Sequence, residues 1–279
     1  MKILAVIVIY KPNEVDVINN ILQFINEVDN LIIWKNSPST EIQNYFETKT
    51  KFKNKIITLG SEINRGIAFP LNKAYEIFMN PSNEYSHLLT MDQDSKWINF
   101  KDYKRKISNS SCNAIYTPIV NSKVSIDKDF LNIHSCITSG TIFTYEALKK
   151  IGKFNEQYSV DCVDYDFSFR ANRKGVKIYK VNGSFMDQIF GIPISSKFLN
   201  FKSYEYSAKR LFFITRNHIL MWRDYPDQIN ETIKKRILKD HIFGKLIKVL
   251  LIEDMKLKKI FFIIKGIISG ILNDRSKNY

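Results

Sequence analysis

Residues 3 to 9 read Ile-Leu-Ala-Val-Ile-Val-Ile, an unbroken apolar run closed by Tyr10-Lys11-Pro12-Asn13. Neither the alternation of a half-exposed strand nor the three-to-four spacing of an amphipathic helix fits it. Its length and β-branched content match a strand buried on both faces, the kind found inside a parallel sheet. No small-residue cleavage site follows, so a first strand is favoured over the apolar centre of a signal peptide.

Parallel strands need crossover helices, and the sequence supplies them. Residues 14–28 carry Val17, Ile21, Leu22, Ile25 and Val28 at helical spacing. Short strands are predicted at 31–34 and 56–59, a helix at 70–79, and a fourth strand at 87–91 that runs directly into Asp92. Further strands are expected at 114–118, 138–143 and 176–181. Helices are expected at 145–151, closed by Gly152, at 164–174, stopped by Gly175, and along most of the chain beyond Tyr204. The alternation predicts an α/β fold with a mostly parallel central sheet. Ligands in such folds bind beyond the carboxyl ends of the strands, where segments 10–13, 35–38, 64–68 and 92–94 fall.

Charge narrows the partners. Forty-two basic against 28 acidic residues give a net charge of +14, which favours polyanions. Residues 233–279 hold 12 Lys/Arg and 4 Asp/Glu, a net of +8. There the lysines (Lys245, Lys248, Lys258, Lys259, Lys265) stand among Ile, Leu and Phe rather than in a polar stripe, and no nucleic-acid motif is present. Residues 226–279 are therefore read as a basic amphipathic helical tail suited to an anionic membrane surface, with no nucleic-acid partner. A helix packed on the protein's own core, with a solvated basic face, is the alternative. No stretch reaches the ~18 apolar residues of a membrane span. Cys112, Cys136 and Cys162 have neither CxxC spacing nor paired histidines nearby, which points to reduced cytoplasmic thiols.

Two constellations carry chemistry. Asp92-Gln93-Asp94 places two carboxylates on a loop leaving a buried strand, a pattern that can hold a hard divalent cation such as Mn2+ or Mg2+; a solvated polar turn is the bland reading. Asp164 and Asp166 fall at the start of a helix, with Arg170 four residues after Asp166. They read either as a general base that deprotonates a hydroxyl or as a helix cap with an ion pair.

Several segments, in order, resemble the family 2 glycosyltransferases and their rhamnosyltransferase-like branch. Val6–Asn13 resembles the opening strand and its "TYNP" turn. Asn64-Arg65-Gly66-Ile67-Ala68 with Leu71-Asn72 resembles the "N-x-G-x-A…N" segment, and His87–Asp94 the strand ending in D-x-D. Ser139-Gly140 with Ile151-Gly152-Lys153-Phe154-Asn155-Glu156 resembles "SG…iG-x-F-(D/N)-E". Val163–Arg170 resembles "(E/V)-D-x-(D/E)-x-x-x-R", and Arg216-Asn217 the family's "RN" pair. The resemblance covers about residues 3 to 225.

It implies a GT-A type nucleotide-binding domain over 1–225, with the helical tail at 226–279 as a C-terminal extension. It also implies inverting transfer of a hexose or deoxyhexose, rhamnose among them, from a nucleoside-diphosphate sugar. The acceptor would be a hydroxyl of a saccharide, carried on a lipid, at the inner face of the cell membrane. Asp164 would be the base. Tyr10, Asn36, Asn64, Arg65, Gly66, Asp92 and Arg216 would hold the donor, with Arg216 reaching its diphosphate. Asp94 would be the direct ligand of the cation, Asp92 lying nearer the ribose or sugar, and Asp187 and Gln188 would complete the metal site. Ser139, Gly140 and Asp166 would face the acceptor, and the aromatic segment 204–222 could line the same side.

Two positions depart from the family pattern. Lys35-Asn36 stands where the second strand usually ends in Asp-Asn, which leaves base recognition open and offers Lys35 as a phosphate partner. Gln188 stands where many relatives carry a His. A catalytically inactive or redirected nucleotide-binding protein is the competing reading, with a basic nucleic-acid-binding protein behind it.

Overall fold

The computed structural model describes residues 1–48, 50–125, 127–158, 160–189, 191–195 and 202–276. In chain order the elements are β1 (Ile3–Ile9), α1 (Glu14–Leu22), β2 (Asn30–Lys35), α2 (Thr40–Thr48), α3 (Thr50–Lys53), β3 (Ile56–Leu59), α4 (Ala68–Met79), β4 (His87–Asp92), β5 (Ser95–Trp97) and α5 (Phe100–Ser108). Then come β6 (Ile115–Val120), β7 (Phe130–Asn132), β8 (Thr141–Thr144), α6 (Tyr145–Ile151), α7 (Val163–Arg173), β9 (Ile178–Gln188), β10 (Ile192–Ser195), β11 (Lys202–Glu205), α8 (Ala208–Asp224), α9 (Glu231–Ile237), α10 (Gly244–Ile252) and α11 (Lys256–Ile271). They form two compact units: Met1–Asn155 with Phe167–Gln188, and Glu156–Asp166 with Ile189–Tyr279.

The first unit is built on a nine-stranded sheet in the order β3-β2-β1-β4-β8-β6-β9-β5, with β7 also paired to β9. All seven residues of β1 are buried, because the strand is flanked in parallel by β2 and β4. β8 enters antiparallel between β4 and β6, and β6 pairs parallel with β9. Most paired residues run parallel, as the alternation of strand and helix predicts.

The expected helix over 14–28 ends at Leu22 and resumes as a single 3-10 turn at Ile25–Glu27. The break lets Phe24, Ile25 and Val28 all reach the core. β9 runs seven residues beyond the predicted 181, which lets β5 add to the far edge. Asn72 joins two of the sequence motifs: its Nδ2 donates to the Phe154 carbonyl at 3.0 Å and its Oδ1 accepts from Phe154 N at 2.7 Å. The Phe154 ring then stacks on Phe167 at 4.5 Å.

In the second unit β10 and β11 pair antiparallel, and the helical stretch expected beyond Tyr204 begins with α8 at Ala208. α8 lies against α11 over a seam of small residues: a Cβ on Gly266 would lie 2.7 Å from the Phe212 carbonyl, and one on Gly270 would lie 2.8 Å from Ile219. This close approach places α8 in the same unit as the tail, so the units do not divide at residue 225. Beneath α10 and α11, Lys245 and Lys259 both pair with the buried Glu253, and Lys259 also meets Glu205 at 2.7 Å. Two lysines and two glutamates thus compensate one another where desolvation would make a lone charge costly.

Helix propensity alone predicts that Gly266→Ala stabilises the chain by about 1 kcal/mol. The seam predicts the reverse, a lower Tm by thermal unfolding, because the added methyl meets a backbone carbonyl that cannot move aside.

Candidate functional site

The parallel register sets Val8 opposite both Trp34 and Asp92, and Ile9 opposite Lys35. The carboxyl ends of β1, β2 and β4 therefore open at one level. Gln93, between the two aspartates, clamps the turn after β1. Its Oε1 accepts from Tyr10 N at 2.7 Å, its Nε2 donates to the Tyr10 carbonyl at 3.0 Å, and its backbone carbonyl accepts from Asn20 Nδ2 at 3.0 Å. A primary amide carries both a donor and an acceptor, so it can bridge a backbone as a neighbouring strand would. The D-x-D spacing assigns Gln93 no role; the dual capacity of its amide is the signal the sequence holds for this clamp. Lys11, at φ 45°, is fixed by its N–H donating to Ser37 Oγ at 2.6 Å.

Asn36 is buried and braces the 64–66 loop. Its Oδ1 accepts from Trp34 Nε1 and Arg65 N, and its Nδ2 donates to the Gly66 carbonyl. Asn64 closes the same turn through Gly66 N at 2.9 Å, and Gly66 takes φ 72°, where glycine carries no Cβ penalty. The expected donor contact of Asn36 is thus replaced by support of the Asn64-Arg65-Gly66 backbone, while Asn64 and Arg65 themselves are exposed. Lys35 Nζ lies 2.7 Å from Glu62, so its charge is already compensated.

Asp92 and Asp94 meet at Gln188. Ser95 pairs with Gln188 across the β5–β9 ladder, which brings Gln188 Nε2 2.9 Å from Asp92 Oδ2 and 3.4 Å from Asp94 Oδ1. Gln188 Oε1 is buried and has no hydrogen-bond partner among the described residues. A half turn of the amide would present that oxygen to the two carboxylates, an arrangement that only a cation between them could stabilise. Three oxygens of this kind suit Mg2+ or Mn2+. Among the described residues no three His, Cys, Asp or Glu cluster.

Asp187 does not join them. It pairs opposite Lys96, and strand alternation turns it to the face away from Gln188.

Ser139 and Gly140, expected to face an acceptor, are buried. Ser139 Oγ accepts from Asp92 N at 3.0 Å and lies 2.7 Å from Ser95 Oγ, so it holds the Asp92 backbone from beneath. Gly140 takes φ 73°, and a Cβ there would lie 2.7 Å from Met186 Sδ.

Asp164 lies half-exposed in the first turn of α7, within the second unit. The residues before it, Asp161 and Cys162, both take positive φ, 56° and 64°, a left-handed pair that side chains adopt only when surroundings compel it. α8 supplies the compulsion. Asn217 Nδ2 donates to the Val160 carbonyl at 2.7 Å, and Arg210 Nε reaches Asp161 at 3.3 Å. His218 Nδ1 lies 3.6 Å from Cys162 Sγ.

Arg216 is fully buried. Its guanidinium donates to Asn217 Oδ1 and to the Gln157 and Ser276 carbonyls, so it organises this turn instead of presenting itself to a diphosphate. Asp166 is likewise buried and accepts from Tyr225 Oη at 2.6 Å, a bracing position and not an acceptor-facing one. The aromatic helix α8 is mostly core and does not line a surface.

His218 donates from Nδ1 to the Ile214 carbonyl at 2.8 Å and stacks on His241 at 4.5 Å. Burial, then the neighbouring His241, lowers its pKa to about 4. A histidine held below its unfolded value of 6.5 contributes its full stability above that pH and loses it as pH falls toward 4. Urea unfolding at pH 5 should therefore show roughly 2 kcal/mol less stability than at pH 7 from this group. His218→Gln should reduce that difference, although the half-buried His87, also lowered to about 4, leaves part of it.

No protein-family model matches the chain, and no curated protein matches it. Solved structures do. The crystal structure of GalNAc-T7 with UDP, GalNAc and Mn2+ is similar at a TM-score of 0.55 and 10% identity over 86% of this chain. The match covers 54% of that chain, so this one spans about half its length. A197 from STIV has a TM-score of 0.43 at 11% identity, over 74% of this chain and 95% of that one. A glucose-1-phosphate thymidylyltransferase from Bacillus anthracis in complex with a sucrose has a TM-score of 0.46 at 9% identity, over 67% of this chain and 89% of that one. At 10% identity the likeness to GalNAc-T7 shows the fold alone: a GT-A-like α/β fold with a mainly parallel sheet and C-terminal helices.

Proposed function

We propose that this chain is an inverting glycosyltransferase that moves a hexose or deoxyhexose from a nucleoside-diphosphate sugar to a hydroxyl of a saccharide. The observation that carries the reading is the Asp92–Asp94–Gln188 group at the carboxyl end of the central parallel strands, with its loop pinned by Gln93 and Ser139. Preorganised polar groups on rigid elements are what a charged leaving group requires.

In this reading the donor lies along the Tyr10 turn and the Asn64-Arg65-Gly66 loop, where Gly66 allows close approach of the backbone. Asp92, Asp94 and Gln188 would hold Mn2+ or Mg2+, which would supply neutralisation of the diphosphate as it departs. GalNAc-T7, the fold neighbour, was crystallised with UDP and Mn2+, which supports this pairing of ligands. Asp164 stands in the first turn of α7. It takes the proton from the acceptor hydroxyl. The acceptor oxygen bonds to the anomeric carbon as the bond to the diphosphate oxygen breaks on the opposite face, so configuration inverts in one step.

Asp164→Asn keeps the size of the side chain and removes the base. Transfer to a saccharide acceptor, followed by nucleoside-diphosphate release, should fall by at least about a hundredfold, while nucleotide affinity stays within a factor of two or so of wild type. Undiminished transfer would remove Asp164 from the mechanism.

A further inference from the structure

The C-terminal helices of the second unit leave a large apolar surface uncovered. On α11, Leu257, Phe261, Ile264, Ile268 and Ile271 are all exposed, Leu257 at 86% and Phe261 at 61%. Their spacing of four and three residues aligns them on one face of the helix. The opposite face carries Gly266 and Gly270, which lie against α8. The preceding segment repeats the pattern, with Phe243, Ile247, Leu250 and Leu251 exposed. Monomeric proteins rarely leave large apolar patches open.

The charges around the patch identify what covers it. The glutamates nearest these helices are withdrawn into the buried network with Lys245 and Lys259. Outside that network, segment 243–272 carries Lys248, Lys256, Lys258 and Lys265 against Asp254 alone, an excess of three positive charges. At about 100° per residue, Lys258 and Lys265 lie on one side of the α11 stripe and Lys256 on the other. Lysines along both edges of an apolar face can lay their stems on hydrocarbon and their ammonium groups among phosphates. Beside them, a groove of about 630 Å3 is lined by Leu238, Phe243 and Ile247 together with Lys235, Lys239 and Lys248 and the single acidic residue Asp240. Its lining joins apolar side chains to a net positive charge.

We infer that α10 and α11 form a docking face for an anionic lipid bilayer, lying in the interface with the Leu257–Ile271 stripe toward the acyl chains. Among the described residues no helix is long and apolar enough to cross a membrane, and α11, at 16 residues, suits the interfacial geometry. A second copy of this chain is the other occupant that a stripe of this spacing could accept. The lysine edges of two copies would repel one another, whereas anionic headgroups neutralise them.

The test is co-sedimentation of the full chain, without nucleotide, on vesicles of phosphatidylcholine alone and of equal parts phosphatidylcholine and phosphatidylserine. Binding should be about a hundredfold stronger on the anionic vesicles, from three net charges near the surface. Phe261→Glu with Ile268→Glu, both at exposed positions, should abolish it while the thermal transition stays in place. Lys256→Glu with Lys258→Glu should weaken anionic binding and leave the weak neutral binding unchanged. Wild-type protein that stays in the supernatant with both vesicles would overturn the inference. So would a double variant that binds like wild type, or a dimer in sedimentation velocity that the Phe261/Ile268 variant dissociates without any vesicle binding.

Discussion

The burial of β1 between two parallel neighbours is the constraint on which the rest of the first unit depends. Each fully buried aliphatic side chain contributes about 1.5–3 kcal/mol, and all seven residues of this strand are buried. One strand thus gains an amount comparable to the whole net stability of a domain. Its register is correspondingly firm. Since Val8 aligns with both Trp34 and Asp92, that register also fixes the height at which the Tyr10, Lys35 and Asp92 loops emerge. The candidate site is a consequence of core packing before it is a matter of chemistry.

Around that opening, polar residues divide into those that face outward and those that hold them. Gln93, Asn36 and Ser139 each bind backbone of a neighbouring loop, so the exposed Asp94 and the Asn64–Arg65 turn are positioned by two amides and a hydroxyl, of which Asn36 and Ser139 are buried. The second unit repeats the arrangement. Asn217 holds the Val160 carbonyl at the strained turn that precedes Asp164, and Arg216 holds Asn217 and the Gln157 carbonyl; their burial makes each of these hydrogen bonds costly to lose. Both halves of the proposed chemistry rest on side chains that do none of it.

That division explains what the sequence made legible. Runs of buried aliphatics identified β1 to β4 nearly to the residue, and their carboxyl ends located the D-x-D. The roles of Ser139 and Arg216 were not legible, because a buried bracing group and a ligand-facing group call for the same residue types. Asp166 does share a helical face with Val163 and Phe169, both buried, and that periodicity would have placed it inside. Asp187 was misplaced because β9 was expected to stop at 181; only a strand continuing to Gln188 sets the alternation that separates the two residues. α5 carried a usable signal in Phe100, Tyr103 and Ile107 at helical spacing. The β5 edge strand, only three residues long, gave none.

The central claim is that the Asp92–Asp94–Gln188 group receives a nucleoside diphosphate together with a divalent cation. Thermal unfolding with UDP, dTDP and GDP, each with and without Mn2+, in wild type and in Asp94→Asn, addresses it directly. The account predicts one nucleotide that raises the Tm more with Mn2+ than without, and loss of that Mn2+-dependent gain in Asp94→Asn. An unchanged Tm with every nucleotide, or an equal Mn2+-dependent rise in the variant, would contradict it.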